Sequence, residues 1–162
     1  MTTATTITRC RECGHQNRVP LAGSGRPRCG NCHKPLPWIV DALDDTFGEV
    51  AEKADPPVIV DMWATWCGPC RLVSPVLEQL AVERAGEVKL VKVDVDRAPG
   101  LSSRFTVQAV PTLLVLHRGQ VIARQAGAAP VAVVRRWFDE AMEKDARDRK
   151  SASAGTEQEG PS

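Results

Sequence analysis

A chain of 162 residues has room for one ordinary domain and a small module, which excludes a large multidomain enzyme. Its 21 Lys+Arg balance 20 Asp+Glu, so no overall field draws it to nucleic acid or membrane, and no apolar run is long enough to span a bilayer. Hydrophobic residues make up 43% and charged residues 25%, a soluble globular mixture, while aromatics are only 4% with no Tyr, so Val, Leu, Ala and Ile must build the core. Met1 to Thr8 lacks the apolar stretch of a secretory signal, and a cytoplasmic protein is expected. All 6 cysteines fall into C-x-x-C pairs, which in that setting points to metal and redox chemistry ahead of a disulfide framework.

Residues 1–37 hold Cys10-x-x-Cys13 and Cys29-x-x-Cys32, about fifteen residues apart, the spacing of a structural zinc site. No periodicity there is long enough to build a core, and so small a module needs a staple. Each pair can form a tight turn that brings two sulfurs onto one tetrahedral ion, with Gly14 and Gly30 easing the turns. Two disulfides or four free thiols are the alternatives. His15 and His33 adjoin the turns, but a four-cysteine site has no vacancy for them. Arg9, Arg11, Arg18, Arg26, Arg28 and Lys34 face only Glu12 in this stretch, which raises nucleic-acid binding. The stretch has no aromatic residue for base stacking, so a structural or protein-contact role ranks above it.

Pro37 to Asp41 can form a short strand, and Asp44 or Asp45 can cap a helix over Thr46 to Lys53 with Phe47, Val50 and Ala51 inward, ended by Asp55-Pro56-Pro57. Val58 to Trp63 is a nearly continuous apolar run that suits a central strand buried on both faces, in which Asp61 is the anomaly. A helix is expected from Cys67 to about Arg84, with Leu72, Val73, Val76, Leu77 and Leu80 as its apolar stripe and a kink at Pro75. Val88 to Val95 alternates as a strand, and Pro99 to Phe105 reads as a short helix. Thr112 to Leu116 and Val121 to Gln125 are strands joined by a hairpin turn at His117 to Gln120. Pro130 opens a last helix with Val131, Val134, Trp137, Phe138 and Ala141 inward. This order predicts an α/β fold, a central mixed sheet flanked by helices, over residues 38–146. From Arg147 the composition predicts a disordered tail, 147–162.

Trp66-Cys67-Gly68-Pro69-Cys70 lies where a strand passes into a helix. At the helix N-terminus, unpaired N–H groups and the dipole favour a Cys67 thiolate, the nucleophile. Cys70, three residues on along the same face, is placed to resolve a mixed disulfide. Half of a second zinc site, or two buried thiols, are the alternatives. Asp61, desolvated in its strand, could exchange a proton with Cys70, or it could be a satisfied structural carboxylate. Pro111 has no N–H and, if cis, would shape a groove where an extended substrate pairs with the backbone of Val110; otherwise it simply starts a strand. Trp66 reads as a hydrophobic lip, Trp63 as core and His117 as a turn residue.

Through Asp61, Trp63, Trp66, Cys67, Gly68, Pro69 and Cys70, the segment V-I-V-D-M-W-A-T-W-C-G-P-C-R resembles the signature of the thioredoxin family. Val110-Pro111-Thr112 resembles the motif whose cis proline faces the redox pair, Gly127 the glycine of the docking surface, and Lys92 the lysine near the buried aspartate, which either tunes Asp61 by charge or simply solvates a strand edge. Met62 stands where the family carries an aromatic residue, a packing variation. The likeness spans about Val58 to Met142, and a zinc ribbon in front of such a domain resembles the zinc-containing type of bacterial thioredoxin, which carries it back to Arg9. The resemblance implies catalytic Cys67 and Cys70 assisted by Asp61 and Lys92, and a substrate surface of Trp66, Gly68, Pro69, Val110, Pro111 and Gly127. It also implies one zinc ion on Cys10, Cys13, Cys29 and Cys32, and a redox-active disulfide with no flavin or nicotinamide bound by this chain. The expected activity is reduction of protein disulfides by a monomer that an NADPH-dependent thioredoxin reductase, a flavoprotein, recycles. Gly-Pro between the cysteines resembles the reducing members, with an oxidant role second. The rival from another class is a binding module, whose ribbon captures protein or nucleic acid while the domain serves as scaffold or holdase. Intact Cys67 and Cys70 speak against it.

Overall fold

The computed structural model describes residues 4–157. The N-terminal module is a hairpin of β1 (Thr5–Arg9) and β2 (Gln16–Pro20), paired antiparallel from Thr5↔Pro20 to Arg9↔Gln16. Each strand is only 5 residues long, too short for its alternation to show in the sequence, although Asn17 and Val19 of β2 do turn inward together.

The larger sheet runs β3-β5-β4-β6-β7, from β3 (Trp38–Asp41), β5 (Lys89–Asp94), β4 (Val58–Trp63), β6 (Thr112–His117) and β7 (Gln120–Ala126). β3, β5 and β4 are parallel, while β6 and β7 are antiparallel additions, which is the expected mixed α/β sheet. Its two faces bury separate cores. Against one face lie α1 (Gly68–Glu83) and α3 (Val131–Glu157), with Ile59, Leu90, Leu113 and Val115 meeting Val73, Leu77, Leu80, Val134 and Phe138. On the other, Val58, Val60, Met62, Val91 and Val93 join Phe47, Val50, Leu101 of α2 (Pro99–Arg104) and, in one continuous cluster, Cys10, Val19, Cys29 and Leu36 of the N-terminal module. Strand residues alternate between the faces, so Asp61 must share the α1 side with Ile59, and Lys92 the same side with Leu90.

Several local expectations need correction. Asp44 does not cap a helix of its own segment, where Gly48–Glu52 makes a π-helical turn. Its carboxylate instead accepts the Gly100 and Leu101 amides at 3.0 and 2.7 Å and so caps α2 from across the chain. A Cβ on Gly100 would stand 2.9 Å from that carboxylate, so the cap needs glycine there. Leu72 is 71% exposed, because the buried side of α1 is set by Cys70, Val73, Leu77, Leu80 and Ala81 at helical spacing and Leu72 falls outside it. From Arg147, α3 continues to Glu157 in place of the predicted disorder. Adding residues to a helix already nucleated costs little, and Asp145, held by His117 Nδ1 at 2.7 Å and Arg149 Nε at 2.9 Å, anchors the helix to the end of β6. Residues 158–162 of the predicted tail lie outside the described residues. The expected hairpin turn is present but shorter, with Arg118 and Gly119 alone in it at φ 53° and 79°, so His117 closes β6 and is not a turn residue. Among the described residues, no helix is long and apolar enough to cross a membrane.

Lys89 joins the two parts of the chain. Val88 to Val95 alternates as a strand, as expected, but β5 is covered on both faces, and Lys89 is fully buried on the side of the N-terminal module. Its Nζ donates to Leu21 O at 2.6 Å and Val50 O at 2.7 Å and lies 3.7 Å from the centroid of the Trp38 ring. Trp38 Nε1 donates in turn to Pro20 O at 2.8 Å. Burial pushes the Lys89 ammonium down to about 7. An unfolded lysine keeps its proton to about pH 10.4, so between these values the unfolded chain binds more protons and stability rises with pH. Wild type should therefore gain on Lys89→Met by up to about 1.4 kcal/mol per pH unit from pH 7 to 10, as read from urea unfolding of both proteins.

Candidate active site and candidate metal centre

β4 ends at Trp63, and a short link delivers Cys67 to the N-cap of α1, where its backbone is extended and its sulfur accepts the Cys70 amide at 3.1 Å. Pro69 sits in the first turn, where its missing N–H would have had no helical partner. The sulfurs of Cys67 and Cys70 are 2.31 Å apart with Cα atoms at 5.4 Å, a disulfide distance. Exposure does not separate the two residues, at 3% and 2%; surroundings do. Cys67 Sγ stands 3.5 Å from Val110 O, and the Val110–Pro111 peptide is cis. The β6–β7 register sets Thr112 opposite Ala126 and brings Gly127, at φ 90°, beside this loop, where its amide donates to Pro111 O at 2.9 Å. Gly68, Pro69 and Trp66 are exposed around the pair, and Trp66, 69% exposed, has its indole tied to Asp96 Oδ2 at 2.9 Å.

Cys70 faces the other way, into a cavity of about 290 Å³ that it lines with Trp63, Ser74, Glu78 and Lys92. Behind it Asp61 is fully buried: Oδ2 accepts from Ser74 Oγ at 3.3 Å, and Oδ1 has no partner among the described residues. Lys92 is the β5 residue opposite Asp61, and its Nζ reaches Glu78 Oε1 at 3.3 Å and lies 5.8 Å from the Trp63 ring centroid. Trp63, expected in the core, is a half-buried wall of this cavity whose Nε1 has no hydrogen-bond partner among the described residues. Burial pushes the Asp61 carboxyl up to about 6, opposed by Lys92 and Ser74 and reinforced by Glu78. Sequence reasoning missed Ser74 and Glu78. Their signal was the helical spacing from Cys70, which puts Cys70, Ser74 and Glu78 on one side of α1.

An unfolded aspartate ionises near pH 3.9, so between about pH 4 and 6 the native state binds more protons and stability falls as pH rises. Above pH 6 the whole cost of the buried charge is in force. Asp61→Asn should therefore be more stable than wild type by roughly 2–3 kcal/mol at pH 8, with the gain shrinking towards zero near pH 4, as paired urea titrations will read.

In the N-terminal module the ligand atoms of Cys10, Cys13, Cys29 and Cys32 all lie within 4.8 Å of one another. Cys10 Sγ is 3.6 Å from Cys32 Sγ, and Cys13 Sγ is 3.6 Å from Cys29 Sγ. Disulfides need about 2.05 Å, whereas sulfurs placed about 2.3 Å from a tetrahedral ion are about 3.8 Å apart. The quartet thus has the dimensions of a metal site. Two matching turns build it: Cys10 N donates to His15 O and Gly14 N to Cys10 O, while Cys29 N donates to Lys34 O and His33 N to Cys29 O. The left-handed position in each falls one residue after the second cysteine, at Gly14 (φ 77°) and His33 (φ 66°), so His33 takes the role expected of Gly30. The amides of Cys32 and Asn31 and the side chain of Asn17 bring the Cys29 thiol down to about 5, towards the thiolate a metal requires.

Chemically, the Cys67/Cys70 arrangement can pass two electrons between its own sulfur pair and another disulfide, which is the chemistry of thiol-disulfide oxidoreductases. Residues 38–140 match the family described as Thioredoxin, and the chain belongs to the thioredoxin family. It is 33% identical over 138 residues to Thioredoxin C-3 of Corynebacterium nephridii, covering 83% of this chain and 94% of that protein. It is also 47% identical over 87 residues to Thioredoxin of Haemophilus influenzae, covering 54% of this chain and 81% of that one. Thioredoxin C-2 of Corynebacterium nephridii is 41% identical over 102 residues, 63% of this chain and 94% of that protein. The protein is a thiol-disulfide oxidoreductase with a redox-active cysteine pair on a thioredoxin fold.

Proposed function

We propose that the protein reduces disulfides of other proteins, with Cys67 as nucleophile and Cys70 as resolving thiol. The observation that carries this reading is the opposed setting of the two sulfurs: Cys67 against the Val110 carbonyl of the cis-proline loop, Cys70 on the cavity that fronts Asp61. The Cys67 thiolate attacks a substrate disulfide; a Cys67–substrate bond forms, the substrate S–S bond breaks, and the departing thiolate takes a proton from solvent. Cys70 then attacks Cys67 Sγ while its proton passes to the Asp61 carboxylate. The intramolecular disulfide forms, the mixed disulfide breaks, and the second substrate thiolate is protonated by solvent, to which Asp61 returns its proton. Lys92, held by Glu78, tunes the charge at Asp61. The backbone at Val110, beside Pro111, pairs with an extended substrate, with Trp66, Gly68, Pro69 and Gly127 around it.

An NADPH-dependent flavoprotein reductase restores the dithiol, and the protein works as a monomer in the reducing cytoplasm, where metal-binding thiolates survive. Cys10, Cys13, Cys29 and Cys32 hold one zinc ion, which cross-links residues 1–37 and supplies the staple their small core lacks. The module and the domain over residues 38–146 are distinct in sequence but share buried residues across their junction.

With Cys70→Ser, mixed disulfides with cellular proteins should accumulate on Cys67 and appear on denaturing non-reducing gels, while Cys67→Ser should trap none. Equal trapping by both would overturn the assignment of roles. Freshly purified protein should carry one zinc per chain by elemental analysis, and a variant with all four ribbon cysteines replaced by Ser should carry none. On chelation, hydrogen exchange should rise first over residues 9–37.

A further inference from the structure

The mid-helix hydroxyl of Ser74 is turned onto a buried carboxylate. Its Oγ, on the half-buried side of α1, donates to Asp61 Oδ2 at 3.3 Å, and no other side-chain donor is recorded to that carboxyl among the described residues. Lys92, the cation opposite on β5, has its Nζ drawn to Glu78 Oε1 at 3.3 Å. The charged groups that act on Asp61 are Lys92 from β5 and Glu78 from α1, Cys70 and Arg71 line the neighbouring cavity with them, and the β6 residue opposite Asp61 is the apolar Leu113. The torsion that turns an aspartate carboxyl about its last bond is broad, so a hydrogen bond held from one side narrows the directions its other oxygen can face.

We propose that Ser74 is a positioning residue for proton transfer in the resolving step: its hydroxyl fixes the Asp61 carboxyl through Oδ2 and leaves Oδ1 as the atom that takes the Cys70 proton. The inference rests on the reading of Asp61 as proton acceptor given above. The electron path is unchanged, since Ser74 keeps its own proton and exchanges none. Two effects follow from the same bond. The hydroxyl steadies the ionised carboxylate, so its removal raises the proton affinity of Asp61. It also orients the carboxyl, so its removal lets the carboxyl swing about its last bond and leaves an oxygen aimed at Cys70 less of the time. Serine is a poorer helix former than alanine, so Ser74→Ala should leave α1 at least as stable and isolates the hydroxyl's part in the chemistry.

The test follows the Asp61 carboxyl by ¹³C NMR in the reduced protein and measures insulin-disulfide reduction from pH 5.5 to 9 for wild type, Ser74→Ala, Ser74→Thr, Asp61→Asn and the Ser74→Ala/Asp61→Asn double variant. In Ser74→Ala the Asp61 midpoint should rise by about 0.5–1 pH unit. Its rate should fall by at least about threefold near pH 6 and stay below wild type at pH 9, where the carboxyl is fully ionised and only the lost orientation remains. Ser74→Thr, which retains a hydroxyl, should restore the wild-type midpoint, and in the Asp61→Asn background the Ser74 change should add nothing. An unmoved midpoint in Ser74→Ala, or an equal change of rate in the Asp61→Asn background, would overturn the proposal while leaving Asp61 as acceptor. A wild-type profile for Asp61→Asn itself would instead remove the acceptor reading, and the Ser74 inference with it.

Discussion

A strand buried on both faces leaves a charged side chain no route to water, and β4 and the first half of β5 are such stretches, with Lys92 half-buried just beyond them. Each ionisable residue on them must be answered within the protein. Asp61 is answered by a serine hydroxyl and a lysine across the ladder, Lys92 by Glu78, and Lys89 by two carbonyls and an indole face. Alternation sorts these answers between the faces. The carboxylate and Lys92 go to the side of α1, where the redox pair begins, and Lys89 goes to the side that receives the N-terminal module. Chemistry and assembly are thus carried by neighbouring residues of two strands and kept apart by the pleat.

The same constraint explains why the site works as a layered object. Cys67 belongs to a surface made by the start of α1 and the loop before β6, two elements joined only through tertiary packing. Cys70 shares a small buried cluster with Cys67 and Ala64, but it fronts the cavity lined by Trp63, Ser74, Glu78 and Lys92. Thiol acidity at a helix N-terminus and carboxyl basicity in a buried strand need opposite environments, and one helical turn is enough to reach from one to the other.

Much of this was legible in the chain. Strands with long apolar runs, such as Val58 to Trp63 and Thr112 to Leu116, announce themselves, and so do C-x-x-C pairs, because their spacing is the chemistry. Asp61 stood out because a carboxylate in such a run has to be explained. What stayed hidden was set by partners far away in sequence. Asp44 has the local look of a helix cap, and only the fold shows that the amides it serves belong to Gly100 and Leu101. Leu72 looks apolar enough to be core until the angular position of its neighbours is known. The alternation of Val88 to Val95 marks a strand but not what lies over Lys89, since nothing local indicates that residues near position 20 will cover it. The polar composition after Arg147 suggests disorder, yet a helix anchored at Asp145 carries through it.

The two cysteine turns of the module repeat one another bond for bond, each with a backbone donor and acceptor at the same offsets from its first cysteine. Main chain therefore shapes the sulfur cage, and most outward side chains on it, Arg11, Glu12, Arg18 and Lys34 among them, are exposed and take no part in the turns. Such a surface can be rewritten residue by residue without disturbing the cage beneath. Charge and recognition on this surface can thus change without touching the cage, whereas on the catalytic face Trp66, Cys67 and Gly127 are each tied to a residue far away in sequence or across a loop.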